Sequence, residues 1–352
     1  MSDKKIKIGI IGLGSIAKEH LDSYKENPNC ELYAFCDVSE KQLKLRSEEY
    51  GVTRLFTSIE EMVALPELDA VSVCVFNSLH AEASIKALRA GKHVLCEKPM
   101  ATKLEDALEM ERVAKENGKL LMIAFVRRFA NDAETVKEYI DSGFMGDIYY
   151  ARATYLRRHG NPGGWFGNKE FSGGGPLIDL GVHVIDLTRY LCGNPKPVSV
   201  YGATFQKLFN RPGIKDGLGW KSVMKTQECN VEDFATALVR YDNGCVLEVS
   251  ASFSLNIKED KGEIELCGTK AGAKLNPELE IYSQMNDRMI NISPYTSAEP
   301  NFGAAFRKEI NHFVDCVKDG VPCRAPASDG VEVMRIIDAI YRSAETGHEV
   351  IL

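Results

Sequence analysis

The chain has 352 residues, enough for about two domains, with 44% hydrophobic and 26% charged residues. Its 43 basic and 50 acidic side chains leave a net charge of −7 without a long run of one sign, which argues against nucleic acid or an anionic membrane as partner. No stretch approaches 18 consecutive apolar residues, so no transmembrane helix is expected, and the ten cysteines show no C-x-x-C spacing that would signal a zinc site or a disulfide framework. Most of them lie in apolar runs and read as small buried hydrophobes. The charged lead before Ile6 is not expected to be a signal peptide. A cytoplasmic protein without a metal is expected.

In chain order, strands are expected at Ile6–Ile11, Glu31–Cys36, Ala70–Phe76, His93–Cys96 and Leu120–Phe125. Helical spacing separates them, as in Ala107, Met110, Val113 and Ala114. Strands apolar on both faces and alternating with helices form a parallel sheet covered on both sides, so residues 1–126 read as a doubly wound α/β domain. Beyond Asp147 longer strand runs take over: Ile148–Leu156, Val198–Gln206, Phe234–Tyr241, Cys245–Leu255 and Gly262–Cys267. Asp242-Asn243-Gly244 joins two of them as a hairpin. Leu247, Val249, Ala251 and Phe253 alternate with Glu248, Ser250 and Ser252, as on a sheet with one covered face. Helices near Phe302–Lys318 and Ser328–Ala344 close an α+β domain spanning 127–352, with a large, mainly antiparallel open sheet.

Three segments carry candidate chemistry. The first strand runs into Gly12-Leu13-Gly14-Ser15-Ile16-Ala17, a G-x-G-x-x-A that opens a helix. Gly12 permits the turn, Gly14 lets a pyrophosphate approach, Ala17 allows close packing, and the amides of Ser15 and Ile16 face the phosphates. Asp37, at the end of the second strand, is placed to accept the ribose hydroxyls. A carboxylate there repels a 2′-phosphate, so NAD is expected rather than NADP. Strand ends at Asn77–His80 and Glu97-Lys98-Pro99 lie at the carboxyl edge, where such sheets bind ligands. Lys98 can place an ammonium beside a reacting hydroxyl or form an ordinary ion pair, and His80 reads first as a capping or packing residue. In the third segment Ser172-Gly173-Gly174-Gly175-Pro176 is a flexible entry to one helix from Pro176 to Leu191. Leu177, Leu180, Val184, Leu187 and Leu191 form its core stripe, with Asp179, His183, Asp186 and Tyr190 beside it. The Asp179–His183 pair is either a buried pair holding the helix or an acid/base poised near neutral pH.

These pieces resemble the glucose–fructose oxidoreductase and inositol dehydrogenase family, Gfo/Idh/MocA. The resemblance rests on Gly12-x-Gly14-x-x-Ala17, on Ala90-Gly91-Lys92-His93-Val94-Leu95-Cys96-Glu97-Lys98-Pro99, on Gly173 through Asp186 and on the ending Ala339 to Val350, with Tyr341 to Gly347. It implies a Rossmann domain, NAD(P)-dependent hydride transfer on a sugar, cyclitol or related polyol, and a homodimer or homotetramer formed through the second domain's sheet. By position it implies Lys98, Asp179 and His183 as catalytic groups. It also implies Glu97 as a nicotinamide-ribose contact, Asn77 and His80 in the cofactor loop, and a cis bond before Pro99. Phe76 stands where the family usually has Pro. Arg127 and His159 are the candidate substrate contacts. Arginines of Arg127-Arg128 and Arg157-Arg158-His159 bordering the cleft would hold a carboxylate or phosphate, but structural or solvated ion pairs are the favoured reading, so a neutral substrate is expected. An NAD-dependent glycoside hydrolase and a non-catalytic sugar- or NAD-sensing regulator are the alternatives, and the retained Lys98, Asp179 and His183 argue against the regulator.

Overall fold

The structure is a computed structural model in which residues 5–208, 229–294 and 301–352 are described. Its first six strands are β1 (Ile6–Ile11), β2 (Cys30–Cys36), β3 (Leu55–Phe56), β4 (Ala70–Val73), β5 (His93–Cys96) and β6 (Leu121–Ile123). Between them run α1 (Ser15–Glu26), α2 (Glu40–Tyr50), α3 (Ile59–Val63), α4 (His80–Arg89) and α5 (Leu104–Glu116). The strands pair in the order β3-β2-β1-β4-β5-β6, all parallel. This is the doubly wound order whose reversal point lies beside β1. Ile8, Ile10, Val71, Val73, Val94 and Leu95 are fully enclosed, as strands covered on both faces require. Ala83, Ala87 and Leu88 of α4 and Ala107, Met110 and Val113 of α5 supply part of that cover.

The chain continues through α6 (Asn131–Asp141), β7 (Ile148–Leu156), α7 (Lys169–Ser172), α8 (Val182–Leu191), β8 (Pro197–Phe205), β9 (Phe234–Tyr241) and β10 (Val246–Ser252). It then forms β11 (Lys261–Gly268), β12 (Gly272–Leu275), β13 (Glu280–Met285) and β14 (Arg288–Ile292). The last elements are α9 (Phe302–Asp319), α10 (Ala327–Thr346) and β15 (Val350–Ile351). Nine strands make the second sheet, in the order β14-β13-β12-β11-β7-β10-β9-β8-β15. Every pair in it is antiparallel except β7 with β10. The Asp242–Gly244 turn closes β9 onto β10 with Gly244 at φ +85° and Tyr241 N donating to Cys245 O over 2.9 Å. Leu247, Val249, Ala251 and Phe253 are buried, as their alternation requires.

By packing, the chain forms two units. The first runs to Phe129 and adds Phe302–Val331; the second comprises Ala130–Asn301 and Glu332–Leu352. Helix α9 therefore lies with the parallel sheet. Asn27 Nδ2 donates to Asn311 Oδ1 over 2.7 Å, and Lys318 Nζ donates to Asn29 Oδ1 over 2.7 Å. Ile123 N donates to Ala325 O over 3.0 Å. Fully enclosed Arg128 pairs with Asp329 at 2.8 Å and donates to Arg324 O over 2.6 Å. A division at residue 126 by sequence thus differs from the division by packing.

Candidate active site

The glycine turn of the first unit has the geometry its spacing demands. Gly12 lies at φ +86°, and a Cβ there would come within 2.6 Å of Cys74 O. Both facts restrict the position to glycine. Gly14 is the N-cap of α1; no side chain caps that helix start, and no acid stands in its first turn. A Cβ on Gly14 would meet nothing within 4 Å, so the backbone of the turn is open to approach. Ser15 and Ile16 begin α1, and Ala17 is wholly buried. Asp37 is fixed by two amides: Leu13 N donates to Oδ2 and Ser39 N to Oδ1, each over 2.7 Å. It thus braces the glycine turn from the end of β2. A helix N-terminus without a carboxylate, an open glycine and a braced acid fit a dinucleotide with phosphates at α1 and a ribose at Asp37.

At the carboxyl edge of β5, Glu97 is buried and Lys98 half-buried, with a cis peptide bond before Pro99. Glu97 Oε1 contacts His20 Nε2 at 2.9 Å, and Lys98 N donates to Oε2 over 3.1 Å. Burial pushes the Glu97 carboxyl up, but contact with His20 and the nearby Lys98 charge together outweigh it, and the group is held below its ordinary value. His20 continues to Ser72 Oγ at 3.2 Å, which meets Tyr24 Oη at 2.7 Å. Asn77 is buried at the start of a short turn after β4. His80, also buried, directs Nδ1 at Pro99 O (2.7 Å) and Nε2 at Val75 O (3.1 Å). Burial pushes its pKa down, against the pull of the two carbonyls. His80 thereby ties the loop after β4 to the Lys98–Pro99 turn.

In the second unit the segment opening on Pro176 is not one regular helix. Residues Leu177–Gly181 form a π-helical turn before α8, with Val182 N donating to Leu177 O, one residue further back than in an α-helix. This corrects the single helix expected from Pro176 to Leu191. Asp179 lies inside the π turn, buried, and His183 at the start of α8, half-buried. Their four-residue spacing therefore crosses a change of helical pitch. Leu177, Leu180, Leu187 and Leu191 still bury as one core stripe, and Asp186 is buried too. The glycines before the turn are tightly enclosed. A Cβ on Gly174 would come within 2.0 Å of Tyr341 Oη, and one on Gly175 within 2.3 Å of Glu232 O. Glu232 accepts from Gly175 N (2.9 Å), Leu177 N (3.2 Å) and Tyr341 Oη (3.0 Å), holding the start of the π turn.

Arg127 is buried in the first unit, its guanidinium 5.5 Å from the Phe302 ring centroid. His159, half-buried in the second, bridges to Ser254 just past β10. Arg157 donates to Gly160 O over 3.0 Å.

The model of the oxidoreductase family with an NAD-binding Rossmann fold matches residues 6–125, and the model of that family's C-terminal alpha/beta domain matches residues 137–352. The chain belongs to the Gfo/Idh/MocA family. A curated relative, D-glucoside 3-dehydrogenase of Escherichia coli (strain K12), is 36% identical over 353 residues, covering 99% of this chain and 98% of that protein. Levoglucosan dehydrogenase of Pseudarthrobacter phenanthrenivorans is 27% identical, covering 97% of this chain and 96% of that protein. Among solved structures, levoglucosan dehydrogenase in complex with NADH and levoglucosan matches with a TM-score of 0.86 at 25% identity, covering 99% of both chains. As a Gfo/Idh/MocA oxidoreductase the chain has the NAD-binding fold its glycine turn indicates.

Sequence reasoning missed His20, Ser72 and Tyr24 behind Glu97 and Glu232 at the glycines, and named Tyr341 without its contact there. His20 and Tyr24 share the buried stripe of α1 with Ala17 and Leu21, a detectable signal. Glu232, 57 residues from Gly175, left none.

Proposed function

We propose that this oxidoreductase is an NAD-dependent dehydrogenase that oxidises a secondary hydroxyl of a neutral sugar, with a D-glucoside as the first substrate to test. The observation that carries the reading is the end-to-end similarity to D-glucoside 3-dehydrogenase. Asp37, followed by exposed Val38, supports NAD, since neither residue offers a cation to a 2′-phosphate. The relatives are named as dehydrogenases, which favours net oxidation over glycoside hydrolysis.

When bound, NAD would supply the hydride acceptor for the carbinol carbon. Gly12, Gly14, Ser15 and Ile16 would hold its pyrophosphate, with Ala17 packed beneath the turn, and Asp37 its adenosine ribose. Glu97, with Asn77 and His80 behind the same edge, shapes the nicotinamide end. His183 accepts the hydroxyl proton, with Asp179 orienting the imidazole. Lys98 hydrogen-bonds the substrate oxygen and stabilises its developing negative charge. Arg127 and His159 contact the remaining hydroxyls.

The test is a screen of methyl glucosides, glucose, levoglucosan and myo-inositol with NAD and NADP in parallel, read at the reduced-nicotinamide absorbance. Oxidation of a glucoside with NAD, giving a keto-glucoside by mass, is the expected outcome. Oxidation of myo-inositol alone overturns the substrate class, and aryl-glucoside cleavage without net NADH overturns the reaction.

A further inference from the structure

Outside the residues assigned above, one cluster in the first unit combines soft ligand atoms from two elements. His312 and Cys316 stand four residues apart on α9, on one helix face, and Cys323 lies in the connection to α10. Ligand atoms of the three all lie within 4.8 Å of one another. His312 Nε2 is 3.4 Å from Cys316 Sγ. In a tetrahedral zinc site, bonds of about 2.3 Å to sulfur and about 2.0–2.1 Å to nitrogen imply an N···S edge of roughly 3.5 Å. The pair is thus already at coordination spacing.

The surroundings hold the cluster in place. The connection carrying Cys323 is pinned by Ile123 N donating to Ala325 O and by the bridge between Met122 and Pro326. The Phe129 ring packs against His312 with centroids 5.5 Å apart. Cys316 is buried, whereas His312 and Cys323 are half-exposed, so one side of the cluster faces solvent. Arg324 N donates to His312 Nε2 over 2.9 Å, which puts the ring proton of the neutral imidazole on Nδ1.

We propose that His312, Cys316 and Cys323 bind a borderline-soft divalent cation of the zinc class, with water as the fourth ligand on the exposed side. Two thiolates neutralise the dication, and the donor set of two sulfurs and one imidazole nitrogen selects zinc-like ions over magnesium or calcium. Both sulfurs bind as thiolates. The metal also competes with the Arg324 amide for the Nε2 lone pair. The spacing H-x3-C-x6-C is not a common zinc signature, so the site forms only through the fold. The other close thiol pair, Cys192 and Cys245 at 3.8 Å, is buried and gains no third ligand of this kind among the described residues.

The test uses the full chain, stripped with EDTA under reducing conditions and titrated with Cd²⁺, whose bonds to thiolate absorb in the ultraviolet. The expected result is a charge-transfer band saturating at one Cd²⁺ per chain and displaced by Zn²⁺. Half-exposed Cys323→Ser is the deciding variant, with circular dichroism confirming that it folds. It should weaken Cd²⁺ binding by more than the roughly 10–100-fold that loss of an outer-shell partner costs. His312→Ala should also weaken binding, and Cys229→Ser should leave the band unchanged. Absence of the band, its persistence in Cys323→Ser, or a Cys316–Cys323 disulfide in peptide maps of the non-reduced protein would overturn the proposal.

Discussion

Asp37 has two duties at once, and they separate by experiment. Its carboxylate braces the glycine turn through Leu13 N and Ser39 N and, on the proposed reading, receives the adenosine ribose. A 2′-phosphate there meets like charge, which costs several kcal/mol, so calorimetry should show NADP binding at least ~100-fold more weakly than NAD. Equal affinities would remove Asp37 as the selector. For the chemistry, His183→Ala should lower turnover by roughly 10²–10⁴-fold, the range for a positioned acid/base. Lys98→Ala should lose a similar factor while retaining NAD binding. If both act on one substrate oxygen, the double variant loses less than the product of the two; multiplicative losses would separate their roles. Glu97 has a pH signature of its own. Its carboxyl lies below its ordinary value of 4.5, so the folded state favours the ionised form. That stability is present above the ordinary value and is lost as pH falls through the lowered one. Acid unfolding of Glu97→Gln should therefore show a shallower loss over that window than the parent chain, and an unchanged profile would mean that another group dominates.

At the scale of elements, the π turn and the glycines before it are the feature to test. Gly174→Ala forces a Cβ to within 2.0 Å of Tyr341 Oη and should cost about 1–3 kcal/mol, as overpacking does. Adding Tyr341→Phe removes the clashing hydroxyl and should recover part of that loss in denaturant unfolding; no recovery would place the strain elsewhere. These glycines read as flexible in sequence because glycine carries no record of what presses on it. The change of pitch at Leu177–Gly181 was hidden for a related reason: the leucine stripe keeps an α-helical spacing through it. Strands with two apolar faces, such as β1 and β5, were legible to the residue. Leu55–Phe56 in β3 was too short to register. Strands β13 and β14 are half-buried to exposed apart from enclosed Ile281, so burial wrote little alternation into them, although Asn286 and Asp287 with φ of +49° and +60° mark their hairpin. Gly12, Gly14 and Asp37 were readable because a strand, a turn and a helix start fix their roles locally. The contacts of Glu97 were not, because His20 lies 77 residues away.

Across the whole molecule, the nine-stranded sheet turns a half-exposed face outward. Tyr201 of β8 and Leu238 of β9 pair in register and are 52% and 47% exposed. Phe205 stacks on Phe234 along the same strands, with centroids 5.7 Å apart. Apolar side chains grouped on an open sheet suit a partner surface, and we propose that a second copy covers them in a homodimer or homotetramer. Leu238→Asp should then shift the protein to monomer in sedimentation velocity, and a wild-type monomer would refute the assembly. The segment Lys207–Asn230, expected from the sequence to be one of the loops that set the substrate, lies outside the described residues over 209–228. The return of Phe302–Val331 to the first unit has a consequence for biosynthesis. A ribosome finishes β6 with well over half of the protein still to make, yet buried Arg128 must wait for Asp329, and α1 for α9. The nascent nucleotide-binding half therefore stays incomplete until translation is nearly over, and it matures together with the half that follows it.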